Sequence, residues 1–333
     1  MSRSLVILLV AILLVSCASQ YPPAQTVEVQ PIESTIPVQP AAPTYAGGSP
    51  TMANPLVPAF EHIVIIMFEN ESFESAIGNA DMPFFNQLAQ DDVLLTRFYA
   101  VRHPSLPNYI ALIGGDTFGI DRDCIDCFIN APSLPDLIEA SGRSWKTYQE
   151  NIPKPCYVGD NLLSKVFKNR YAQKHNPFVY FDPIRSDKER CERSVVPLAD
   201  LSADIQTGTL PNFIFITPNM CNIGHDCSLD IADNWLENLY NELVPALDAT
   251  GQPYLIVLTF DEGKGNQSCC GLEEDEGGRI AVVLISPSAK KGFQDDTPYT
   301  HYSLLKTISE SWGLAYLGHA ADDDNVLITA PWK

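Results

Sequence analysis

The sequence predicts an α/β protein built on a three-layer, doubly wound, mostly parallel sheet, and two patterns carry that expectation. Residues 62–68, 212–217, 254–260 and 280–285 are apolar runs rich in β-branched and aromatic side chains. They are continuous where a strand wet on one face would alternate, so they read as parallel strands buried on both faces. Between them, residues 83–90, 133–140, 231–247 and 302–312 carry apolar positions at helical spacing. Strands alternating with helices give crossover connections, with helices covering both faces of the sheet.

The N-terminus is read separately from that domain. A cationic start at Arg3 is followed by an apolar run over 5–15 and then Ser16-Cys17. The run is too short to span a bilayer comfortably, so 1–16 reads as a secretory signal peptide. A small residue immediately before Cys17 resembles the lipobox of bacterial lipoprotein precursors. That resemblance implies cleavage there and a lipid anchor on Cys17, with the chain exported and anchored to the bacterial cell envelope; the alternative is an ordinary signal with an incidental cysteine. Residues 20–58 are rich in Pro, Ala, Thr and Ser, so 17–58 is read as a Pro-rich tether. The 333 residues less those 58 leave 275, enough for one large, well-buried domain over 59–333.

Charge and cysteines narrow the function. The chain has 21 basic and 41 acidic residues, a formal net charge of −20. Such a field repels polyanions, which argues against a nucleic-acid partner. Any small anionic substrate would need local positive charge, most directly from a bound cation. Apart from Cys17, the eight cysteines Cys124, Cys127, Cys156, Cys191, Cys221, Cys227, Cys269 and Cys270 form an even set. In an exported chain that suggests disulfides, whose pairing the sequence leaves open. The spacing of Cys124 and Cys127 would also suit zinc.

In doubly wound sheets, ligands bind beyond the carboxyl ends of the strands. Glu69-Asn70 follows the first run, Asn219 and then His225-Asp226 follow the second, and Asp261-Glu262 follows the third. Two carboxylate-bearing pairs in equivalent places suit one divalent metal ion of unassigned identity; taken singly, each pair could be a helix cap. Ser105, between Pro104 and Pro107, opens an apolar helical stretch. Free N–H groups at such a helix start hold anions, which makes Ser105 a nucleophile candidate, with a plain N-cap as the alternative.

The ordered series HIVIIMFEN at 62–70, HPSLPNY at 103–109, SWKTYQENIP at 144–153, KHNPFVYF at 174–181, TPNMCNIGHDC at 217–227, TFDEG at 259–263 and THYSLLKTISESWGL at 300–314 resembles the phosphoesterases of acid phosphatase and phospholipase C type in the alkaline phosphatase superfamily. The resemblance covers 61–318 and implies an alkaline-phosphatase-like fold. It makes Glu69, Asn70, Asp261 and Glu262 metal ligands, with Ser105 bridging metal and phosphorus. It places His103, His225 and His301 on the phosphate, with His175 and Asn108 near the substrate and Tyr148 and Glu150 around them. His62 and His319 lie outside the motifs and read as packed or surface residues. Relatives commonly carry an acidic residue where this chain has Ile223, and Asp226 is the one stand-in, so a single metal is expected. The sulfatase branch needs an arginine where Tyr109 stands. The implied activity is metal-dependent hydrolysis of a small phosphate monoester through a phosphoseryl intermediate. The alternatives are a phosphodiesterase of phospholipase C type and a non-catalytic surface lipoprotein.

Overall fold

The four apolar runs form the heart of a nine-stranded sheet in the computed structural model, which describes residues 56–160, 170–272 and 277–333. In chain order the strands are β1 (His62–Phe68), β2 (Val93–Tyr99), β3 (Trp145–Gln149), β4 (Val195–Pro197), β5 (Phe213–Thr217), β6 (Tyr254–Phe260), β7 (Arg279–Ile285), β8 (Gln294–Asp295) and β9 (Tyr299–Thr300). They are arranged β4-β3-β5-β1-β6-β7-β2-β8, with β9 on β2. From β4 to β6 all pairings are parallel. Every residue of β1, β5 and β6 is buried, so both faces of the central sheet are covered.

The helices are α1 (Phe73–Ala76), α2 (Pro83–Asp91), α3 (Ser105–Gly114), α4 (Leu134–Ala140), α5 (Asp182–Arg185), α6 (Lys188–Ser194), α7 (Asp200–Thr207), α8 (Leu229–Thr250) and α9 (His301–Trp312). Helix α3 packs on α4 and α9, while α8 packs on α2 and α7. All ten residues of α3 are buried, which fixes Ser105 at the start of a rigid element. Helix α9 begins with a capping box. Thr300 Oγ1 accepts from the N–H of Tyr302 and Ser303, and Ser303 Oγ accepts from the N–H of Thr300.

One expectation is corrected. The run at 280–285 was expected to be parallel, yet β7 is antiparallel to both β6 and β2. The chain turns back from β6 to β7 with no helix between them among the described residues, and a connection without a crossover brings the second strand back antiparallel. Val57 is buried in the core, and the Pro58 carbonyl accepts a 2.8 Å hydrogen bond from Ser311. The signal at 1–16, Cys17 and the tether up to residue 55 lie outside the described residues.

Candidate active site at the carboxyl ends of the strands

Strand register determines which residues meet. Phe68 of β1 pairs with Phe260 of β6, so the residues that follow, Glu69 and Asp261, leave the sheet side by side. The Asp261 N–H donates to the Phe68 carbonyl at 2.9 Å. The next turn uses a left-handed residue, Asn70 at φ 62°, a conformation asparagine tolerates better than most. That turn aims the Asn70 N–H at Asp261 Oδ1 (2.9 Å), which also accepts from the Glu262 N–H (2.7 Å). One carboxylate oxygen is thereby fixed by backbone, while Asp261 Oδ2 and Glu69 Oε2 are buried without a hydrogen-bond partner among the described residues.

Ser105 enters from α3. It is the first residue of the helix, after Pro104, so its side chain does not cap. Its Oγ lies 3.0 Å from Glu69 Oε1 and 3.2 Å from Glu262 Oε1. The ammonium of Lys174 donates to Glu69 Oε1 (2.7 Å) and to Ser105 Oγ (3.2 Å), and pairs with Asp123 at 3.1 Å. Asp123 in turn accepts from the Leu106 N–H at 3.1 Å, taking one of the free donors at the start of α3. Neither Lys174 nor Asp123 was among the candidates from sequence. The available signal for Lys174 was a cation preceding a motif histidine in an acidic chain.

The histidines occupy different positions around this core. His175 Nε2 lies 3.1 Å from Glu69 Oε2, its ring stacks on Tyr109 at 5.3 Å, and it forms with Glu69 and Asp261 a buried trio whose donor atoms lie within 4.8 Å of one another. His103 pairs through Nδ1 with Glu262, and its Nε2 donates to the Gly265 carbonyl at 3.1 Å. His225 stands 3.8 Å from Glu69 and is held through Nδ1 by Asp226 at 2.7 Å; Arg170 pairs with the same aspartate. Asp226, the stand-in for a second metal ligand, is therefore engaged by Arg170 and His225. His301 Nε2 donates to the Asp261 carbonyl at 2.8 Å, leaving Nδ1 buried and unpartnered among the described residues.

Three further expected participants, Asn108, Tyr148 and Glu150, hydrogen-bond to groups around this core. Asn108 accepts from the N–H of Val101 (2.8 Å) and Arg102 (3.0 Å) and donates to the carbonyls of Arg102, Pro104 and Ser105. Its amide thereby shapes the 101–105 loop. Tyr148 donates to Asp204 at 2.6 Å, in a cluster with Lys146. Glu150 braces the turn after β5, accepting from the Asn219 N–H and the Asn222 amide, and the Ile223 carbonyl in that turn holds the Glu69 N–H at 3.1 Å.

The electrostatics fit a cation. Burial, with the neighbouring carboxylates of Glu69 and Glu262, pushes the Asp261 carboxyl well above its usual range. Burial also acts to raise Glu69, but His175, Lys174 and His225 outweigh it and hold that carboxyl below the ordinary range. Burial pulls His175 down against the pull of Glu69, and takes His301 to about 4. Two crowded carboxylates with buried, orphaned oxygens and a neutral ring nitrogen within reach form a donor set that a divalent cation matches. The cysteines pair as 124–127, 156–191, 221–227 and 269–270, so Cys124 and Cys127 bind each other rather than zinc.

The chain is similar to known proteins in sequence and in fold. The "Probable acid phosphatase" of Kluyveromyces lactis is 34% identical over 279 residues, covering 81% of this chain and 62% of that protein. The "Acid phosphatase" of Aspergillus fumigatus is 36% identical over 276 residues, 81% and 58% respectively. The chain thus spans about three fifths of the length of these fungal relatives. The "Phosphatidylinositol-3-phosphatase" of Mycobacterium tuberculosis is 30% identical over 81% of this chain and 83% of that protein. Among solved structures, human ectonucleotide pyrophosphatase / phosphodiesterase 5 superposes with a TM-score of 0.55 at 10% identity, over 80% of this chain and 99% of that one. A protein of the alkaline phosphatase superfamily from Vibrio parahaemolyticus gives 0.50 at 10% identity, over 80% and 71%. These likenesses establish the α/β fold. The profile of the Phosphoesterase family matches residues 79–315, and with the relatives above it shows that this chain belongs to the phosphoesterase family.

Proposed function

We propose that this chain is a phosphoric ester hydrolase acting on phosphate monoesters, with Ser105 as nucleophile and one divalent cation held by Glu69, Asn70, Asp261 and Glu262, with His175 within reach. The observation that supports it best is the convergence on one hydroxyl. Ser105 Oγ meets Glu69, Glu262 and Lys174 within 3.2 Å, beside two buried carboxylate oxygens that accept no hydrogen bond among the described residues. A bound cation would lower the pKa of the hydroxyl and offset charge on the phosphoryl oxygens.

The chain's own groups supply the rest. Glu262, steadied by His103, takes the Ser105 proton as Oγ bonds to phosphorus and the bond to the leaving alkoxide breaks. His225, exposed to solvent and oriented by Asp226, gives the alkoxide its proton. Lys174 and the start of α3 meet the negative charge that develops, a type of contact in which one donor is worth roughly 3 to 4 kcal/mol. Water then attacks the phosphoseryl intermediate, and the serine recovers its proton as phosphate leaves.

Ser105→Ala should abolish release of nitrophenol from nitrophenyl phosphate while the melting temperature and metal content stay put; persisting turnover rejects the assignment. Replacing the monoester by a nitrophenyl diester separates a phosphatase from a phosphodiesterase. We further propose that the chain is exported and held at the cell envelope through a lipid on Cys17, in keeping with its four disulfides. Cys17→Ser should move it from the membrane fraction to the soluble one, and an unchanged distribution would contradict the anchor.

A further inference from the structure

A cavity of about 300 Å³ adjoins the loop that carries His103 and the start of α9. It is lined by Arg102, Thr117, Leu272, Tyr302, His319 and Asp324, among others, and one wall is the stretch from Cys270 to Leu272, which follows the bond between the adjacent Cys269 and Cys270. Two lining residues are chain neighbours of site histidines: Arg102 precedes His103 and Tyr302 follows His301. The chain from residue 102 to Ser105 reaches at most about 10 Å, so the cavity sits within one small molecule's length of the nucleophile.

Arg102 is distinctive among the cations of this acidic chain. It is half-buried, its backbone is clamped by Asn108, and its guanidinium has no hydrogen bond or ion pair among the described residues. Other cationic side chains near the site are committed to carboxylates: Arg170 to Asp226, Lys174 to Glu69 and Asp123, Lys264 to Glu71. A planar, permanently charged fork left unpaired beside a cavity is suited to an anion such as phosphate or carboxylate. The other walls ask for something different. Asp324 and the Thr117 hydroxyl are polar groups that can bond hydroxyls, and the rings of Tyr302 and His319, with centroids 5.1 Å apart and planes tilted by 48°, supply aromatic surface beside Leu272. Asp322, also in the lining, already accepts from His319 at 2.8 Å.

We propose that this cavity binds the alcohol portion of the substrate, and that it selects a phosphorylated polyol carrying a second anionic group, which Arg102 receives while the first phosphate faces Ser105. The inference rests on the phosphomonoesterase reading and narrows its substrate class. That chemistry occurs in free polyol bisphosphates and in phosphoinositide headgroups, where the lipid phosphodiester is the second anion.

The test compares kcat/KM for a hexitol monophosphate, the matching hexitol bisphosphate, and a phosphatidylinositol monophosphate in phosphatidylcholine vesicles. The wild type should favour a doubly anionic substrate over the hexitol monophosphate by about tenfold, in solution or on the vesicle, and the arm that shows it identifies the source. Arg102→Gln should collapse that preference to within about twofold, mainly through KM, and Arg102→Lys should restore part of it. A separate measurement does not depend on turnover: calorimetric titration of Ser105→Ala with the hexitol bisphosphate, where adding Arg102→Gln should weaken binding about tenfold. No preference in either arm, or a preference and affinity indifferent to Arg102, overturns the proposal. Arg102-dependent binding without turnover of any ester would instead overturn the hydrolase reading and leave this site standing.

Discussion

The Oγ of Ser105 lies 3.0 Å from Oε1 of Glu69, the one residue opening a buried helix and the other directly following a buried strand. Glu69 is wholly enclosed and surrounded by Lys174, His175 and His225, yet its second oxygen has no hydrogen-bond partner among the described residues. Neutralising it should therefore cost more than one hydrogen bond. Glu69→Gln is expected to weaken metal affinity by at least about tenfold and to lower turnover with it. Metal analysis after dialysis, set beside kcat, checks this; a variant that keeps a full complement of metal would contradict Glu69 as a ligand.

Lys174 donates to both the nucleophile and its neighbouring carboxylate, so its charge should matter in the transition state more than in substrate binding. Lys174→Met should reduce kcat by about 10²- to 10³-fold with a smaller change in KM, and Lys174→Arg should recover part of the loss. Steady-state kinetics on nitrophenyl phosphate read the split. An effect confined to KM would mean that Lys174 serves ground-state binding alone.

The parts of this architecture that were legible in the sequence are those where burial is complete. Strands β1, β5 and β6 are buried on both faces and so show as unbroken apolar runs, with Glu69 and Asp261 standing out where the runs stop. Strand β2 near the edge turns Arg97 to solvent, and β3 carries Lys146, Thr147 and Gln149, so neither shows the same pattern. Gln149 is buried because its amide bonds Thr147 and Thr217 within the sheet, a satisfaction that exists only after folding. The direction of β7 depends on how the chain returns from β6, which its own apolar residues do not encode. Lys174 lies in a short 3₁₀ turn with no periodicity to reveal that its ammonium faces Ser105.

Acid should weaken one well-defined contact far from the chemistry. Burial tends to raise the Asp204 carboxyl, but the Lys146 ammonium and the Tyr148 hydroxyl, each 2.6 Å away, prevail and hold it below its ordinary value. A carboxyl depressed on folding stabilises the protein fully above its unfolded pKa of about 3.9, and the gain is lost as pH falls through the lower folded value. Asp204→Asn should therefore melt below the wild type at neutral pH, and the gap should close as pH drops beneath about 4. Calorimetric melting points across that range test it, and a gap that widens on acidification would reverse the assignment.

Helix α3 owes its exact placement, and hence that of Ser105, to a residue at its far end. Gly115 caps the helix at φ 76°, in the left-handed region, and a Cβ built there would stand 2.2 Å from the Leu317 carbonyl oxygen. The left-handed conformation alone costs an alanine about 1 to 2 kcal/mol, and the contact with backbone adds to that, because neither partner is a side chain able to rotate away. Gly115→Ala should accordingly lower stability by more than about 2 kcal/mol. The displacement should be felt at the other end of a helix whose ten residues are all buried, so kcat should fall although residue 115 touches none of the reacting groups. Denaturant unfolding and turnover measured together decide it: an alanine variant as stable and as active as the wild type would show that the helix end has room the structure denies it.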